Sequence, residues 1–151
     1  MKSFQFPLQR VLDWRTLRMR TEEEKLASLQ HKLAAILHRD SALTEAELKS
    51  GARLLQLIGI DGSDLRALAA FQLRMRKERT VLKAERAQCE AQISEQRQRL
   101  LKARRDCRAL EQLKDKRKRT WTAQLDREIE DTAAEAYLSQ WARAEMERGQ
   151  S

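Results

Sequence analysis

The chain has 151 residues and a formal net charge of +8, with 36% charged residues, 5% aromatic residues, four glycines and one proline. That balance excludes an ordinary compact globule, because most side chains must face water; it suits long helices with a narrow apolar seam. The positive charge favours an acidic partner such as a protein surface, nucleic acid or an anionic membrane. The first twelve residues hold no apolar run of the kind a secretory signal needs. The longest apolar cluster, at residues 54–60, is too short to span a bilayer. A soluble, cytosolic protein is expected.

The first predicted helix covers residues 5–58. Pro7 suits a first turn, where its missing N–H would lack a partner anyway. Steps of four and three from Leu8 reach Leu12, Arg15, Met19, Glu22, Leu26, Leu29, Leu33, Ile36, Asp40 and Leu43. This is the apolar spacing of a coiled-coil seam, firmest from Leu26 to Ile36. Asp40 in the seam and a capping box of Thr44 with Glu47 admit a break near residues 40–44.

Two glycines and an aspartate at residues 59–63 mark a turn, after which Ser63 or Asp64 can cap a second helix over 64–148. At 1.5 Å per residue that helix reaches roughly 125 Å against about 80 Å for the first. The fold expected is therefore all-α: one long antiparallel two-helix coiled-coil hairpin with a longer second arm. A homodimer of continuous rods and a compact three-helix bundle are the competing readings. The turn argues against the first, and the unequal helices against the second.

Folding about residues 60–62 pairs positions whose numbers sum to about 122. This register sets Leu57 against Leu65, Leu33 against Cys89, Leu29 against Ile93 and Leu12 against Leu110. It also sets Ile36 against Arg86 and Leu43 against Arg79, so those arginines are expected to snorkel. Beyond about residue 119 the second helix is left without an intramolecular partner. Cys89 and Cys107 lie 18 residues apart on that helix, about 27 Å, and read as reduced seam residues.

No constellation for catalysis emerges. His31 and His38 are the only histidines, and seven residues is not chelating spacing on a helix. There is no glycine-rich phosphate loop and no Ser-His-Asp or Cys-His set. No catalytic residue, metal site, cofactor or small-molecule substrate is expected. Charge is more informative. Lys2, Arg10, Arg15, Arg18 and Arg20 in the first segment converge in the hairpin with a basic stretch at residues 102–119, which includes Arg108, Lys114, Arg117 and Lys118. From about residue 120 the sign reverses to an acidic extension. Trp121, Leu125, Ile129, Ala133, Tyr137 and Trp141 form a stripe along it, and exposed apolar surface of this kind marks a docking face. Trp121 also falls opposite the N-terminus, where Phe4, Phe6 and Trp121 can simply close the open end. Phe71, off the seam but near Met75 and Leu82, makes a smaller patch at the turn end.

The opening Phe4-Gln5-Phe6-Pro7-Leu8-Gln9-Arg10-Val11-Leu12-Asp13-Trp14-Arg15 resembles the start of the FliJ family of flagellar export proteins. The stretch Leu110-Glu111-Gln112-Leu113-Lys114-Asp115-Lys116-Arg117-Lys118 is similar to that family's basic segment. The resemblance implies a non-enzymatic coiled-coil stalk of the flagellar type III export apparatus, peripheral at the cytoplasmic face of the inner membrane. Its implied partners are a hexameric export ATPase, a membrane export-gate protein and flagellar substrate chaperones, with the free chain a monomeric hairpin. The ATPase contact maps to Phe4, Phe6, Leu8, Val11, Leu12, Arg15, Arg108, Lys114, Arg117 and Lys118. The gate contact maps to Phe71 and Met75. A stalk of a non-flagellar secretion system is the nearest alternative. A basic coiled-coil module for nucleic acid is another, although no base-reading array accompanies the charge.

Overall fold

A computed structural model of the chain describes residues 2–56 and 59–150. Two helices, α1 (Gln9–Gln56) and α2 (Gly62–Gly149), pack against each other as a hairpin, with no strand among the described residues. α1 begins four residues later than the sequence pattern places it. The residue before a proline is pushed out of helical geometry, so Phe6 stays outside and its carbonyl accepts the Gln9 N–H at 3.0 Å. The expected end of the first helix and the Leu57 layer lie outside the described residues. The chain forms two compact units, Leu17–Arg104 and the pair of segments Met1–Thr16 with Arg105–Ser151.

In the unit Leu17–Arg104, Gly59 adopts φ +84°, the left-handed region that glycine enters without a Cβ penalty. Asp61 then caps α2. Its carboxylate accepts from the Gly62 N–H at 2.6 Å and the Ser63 hydroxyl at 3.1 Å, while the Asp64 carboxylate accepts from the Asp61 N–H at 3.4 Å. The cap is thus Asp61, two residues before the first of the expected caps, Ser63 or Asp64, and the Asp64 side chain reaches back to the cap's own N–H.

Ile36, Leu82, Cys89 and Ile93 form the buried cluster, with Leu26, Leu29, Leu33 and Leu43 packed against it. The spacing of the seam agrees with the sequence pattern, and the contacts across it fall about one helical turn to either side of the expected register. The Cys89 thiol lies 3.5 Å from the Leu29 carbonyl, where Ile93 was expected. Gln96 reaches Glu22, and Arg79 bonds Asp40 at 3.2 Å and approaches Glu47 at 3.6 Å. For Leu29, Glu22 and Asp40 the partner sits about one turn nearer the hairpin turn, whereas for Glu47 and Glu23 it sits about one turn farther from it. Arg79 thus reaches carboxylates on either side of Leu43, and Arg86 turns to Glu90. The break the sequence admits at residues 40–44 does not form. α1 runs through, Thr44 donates to the Asp40 carbonyl within the helix, and the Asp40 side chain is engaged by Arg79.

In the unit Met1–Thr16 with Arg105–Ser151, Phe6, Leu12 and Cys107 are buried. Arg15 bonds Asp106 at 3.0 Å, and the Thr16 hydroxyl lies 3.5 Å from the Cys107 thiol. Both pairs fall within one residue of the expected register. The stripe along the last part of α2 is half-buried at Trp121 and Leu125 and exposed from Ile129 through Tyr137 to Trp141.

Candidate functional site

The residues that the sequence singles out in the first segment and in 108–118 all lie in one unit, and the segment before α1 organises them. Pro7 turns the chain so that Phe6 is buried, 7% exposed, beneath the Arg117 guanidinium, whose centre is 5.8 Å from the ring. At that range over an aromatic face the cation is attracted by the ring quadrupole. Phe4 meets Trp121 with ring centroids 5.9 Å apart and planes tilted by 55°, within the favoured range for aromatic pairs.

These contacts leave a cleft whose wall is Phe4, Gln5, Phe6 and Pro7 and whose rim is Arg10, Lys114 and Lys118. No carboxylate among the described residues pairs with any of those three cations. Arg15 differs, since Asp106 neutralises it while both side chains stay about a third exposed. Arg108 is exposed on α2, and Val11 is 41% exposed on α1. Leu8 is half-buried. Phe6 and Leu12 are core residues that shape the site from beneath rather than offer surface.

Sequence reasoning named half of the cleft, Phe4, Phe6, Lys114 and Lys118, and left out Gln5, Pro7, Gln9 and Arg10 as lining. The proline and the arginine both stand in the motif that drew attention to the segment. It also missed Asp106, whose signal was available: it faces Arg15 in the register read from the sequence. In the other unit, Phe71 and Met75 are half-buried and continue by steps of four and three toward buried Leu82. Phe71 therefore stands in the buried row of α2, not off it. Among the described residues no cluster of His, Cys, Asp and Glu is placed to hold a metal, and no helix is long and apolar enough to cross a membrane.

Cations without carboxylate partners among the described residues thus rim an aromatic cleft. The family model for the flagellar FliJ protein matches residues 4–147. The chain belongs to the FliJ family. It is therefore a component of the flagellar export apparatus. The match begins at Phe4, the residue seated on Trp121, and takes in every lining residue of the cleft of this FliJ-family chain. No curated protein and no solved structure is significantly similar to it.

Proposed function

We propose that this FliJ-family chain is a non-enzymatic stalk of the flagellar type III export apparatus that binds and stimulates the hexameric export ATPase through the cleft of Phe4, Arg10, Lys114 and Lys118. The observation that supports this reading most is the cleft's combination of three cations without carboxylate partners and an ordered aromatic wall. A cationic surface of this kind meets an acidic partner surface quickly and in a fixed orientation, because complementary potentials steer encounter and set register. Val11, Arg108 and Arg117 extend the contact around the cleft. Phe6, Leu8 and Leu12 keep its floor in shape.

The same reading assigns the turn end of the unit Leu17–Arg104 to the membrane export-gate protein. Exposed Ile60, Leu65 and Leu73 there supply apolar contact, and half-buried Phe71 and Met75 support it from the seam. Flagellar substrate chaperones are the remaining partners, met at the cytoplasmic face of the inner membrane.

The test is ATP hydrolysis by the flagellar export ATPase of the same organism, with and without the chain, at physiological salt. Stimulation that is lost in a Lys114→Glu, Lys118→Glu variant supports the assignment. No stimulation by the folded wild-type chain contradicts it. Binding to nucleic acid that collapses between low and moderate salt would instead favour the phosphate-binding reading.

A further inference from the structure

Two surfaces of the chain are opposite in charge and similar in length. The first is a groove of about 560 Å³ in the unit Leu17–Arg104. Its apolar lining is Ile36, Leu37 and Leu82, of which Leu37 is 39% exposed. α2 adds Arg76, Arg79, Lys83 and Arg86. Asp40 and Glu47 answer Arg79, and Glu90 answers Arg86. No carboxylate among the described residues pairs with Arg76 or Lys83. Seven residues apart, those two share a face of α2 and lie about 10 Å from one another along it.

The second surface is the last part of α2, where seven carboxylates stand against three arginines over residues 126–148. Ile129, Tyr137, Leu138 and Trp141 are exposed there. At 3.6 residues per turn, Asp126, Glu130, Tyr137 and Trp141 fall within about 60° of one another. Carboxylates and aromatic rings thus share one face, and exposed apolar groups in such a row mark an interaction surface. No cation among the described residues pairs with Asp126 or Glu130. From Glu130 to Trp141 the face extends about 16 Å, and from Arg76 to Arg86 the groove extends about 15 Å. Two acidic extensions repel each other, whereas the cationic groove attracts one.

We propose that the acidic extension of one copy of the chain docks in the cationic groove of a second copy. Asp126 and Glu130 meet Arg76 and Lys83, while Tyr137 and Trp141 cover the apolar lining at Leu37. Because the two surfaces differ, the contact is heterologous: a dimer still offers one free groove and one free extension, and association continues head to tail. This departs from the monomer that the family resemblance implies. It uses no lining residue of the cleft assigned to the export ATPase.

Sedimentation velocity of the full-length chain tests this. The mass of the wild type should rise past the dimer with concentration and fall again with added salt. Asp126→Lys with Glu130→Lys spoils the extension, and Arg76→Glu with Lys83→Glu spoils the groove. Each variant alone should associate at least about tenfold more weakly than the wild type. A mixture of the two retains one intact extension and one intact groove, so it should recover association and stop at the one-to-one dimer. Circular dichroism checks that both variants keep their helix content. A wild type that stays monomeric would overturn the proposal and leave the groove to an acidic helix of a different protein. Folded variants that fail to complement each other when mixed would overturn it equally.

Discussion

Glu22 occupies a seam position between Met19 and the apolar run Leu26, Leu29, Leu33 and Ile36. Charge in such a place is costly unless it is bonded. The hydrogen bond from Gln96 holds the Glu22 carboxyl below its ordinary value of 4.5; burial opposes this, and the nearby Lys25 ammonium assists. A depressed folded-state pKa means that the group's contribution to stability is complete above about pH 4.5 and lost as pH falls through the lowered value. Urea midpoints measured from pH 6 to pH 3 should therefore fall more steeply for the wild type than for Glu22→Gln. Parallel curves would show that the carboxylate is not held. Gln96→Leu at pH 7, which leaves the carboxylate without its donor, should cost about 1–3 kcal/mol. At the turn, no atom of the described residues, chain neighbours aside, lies within 4 Å of a Cβ added at Gly59. Gly59→Ala therefore tests backbone strain alone, with an expected loss of about 1 kcal/mol from the left-handed φ.

At the scale of elements, the spacing of the seam is legible in the sequence because burial repeats every three and four residues. The polar contacts across it are not, because they join positions far apart in sequence, as Gln96 with Glu22 and Arg79 with Asp40 and Glu47. The same non-local pairing explains the uninterrupted α1: Asp40 looks like a helix breaker only until Arg79 is seen beside it. The aromatic closure was legible in outline, since the register already placed Trp121 opposite the N-terminus. Its cation over Phe6 was not, because Arg117 read as one more member of a basic run. The cap of α2 makes a direct check on local structure. Asp61→Ala should cost about 0.5–2 kcal/mol in chemical denaturation, whereas Ser63→Ala should change little. The reverse order would place the cap where the sequence first suggested.

For the whole molecule, the net charge of +8 matters less than its arrangement. In the unit Leu17–Arg104 three arginines reach across to carboxylates of the other helix, in the pairs Arg39–Glu78, Arg79–Asp40 and Arg104–Glu23. Arg10, Lys114 and Lys118 line a cleft with no such answer among the described residues. Exposed charges contribute little to stability, so reversing Lys114 and Lys118 should leave thermal unfolding nearly unchanged while weakening partner binding. That separation makes the functional claim testable apart from the fold. The first experiment is the rate of ATP hydrolysis by the flagellar export ATPase, titrated with the wild-type chain and with Lys114→Glu, Lys118→Glu. The account predicts saturable stimulation by the wild type and at least about a tenfold weaker apparent affinity for the variant, the effect expected from losing charge complementarity worth about 1.4 kcal/mol. Equal stimulation by both folded proteins, or none by either, would contradict it.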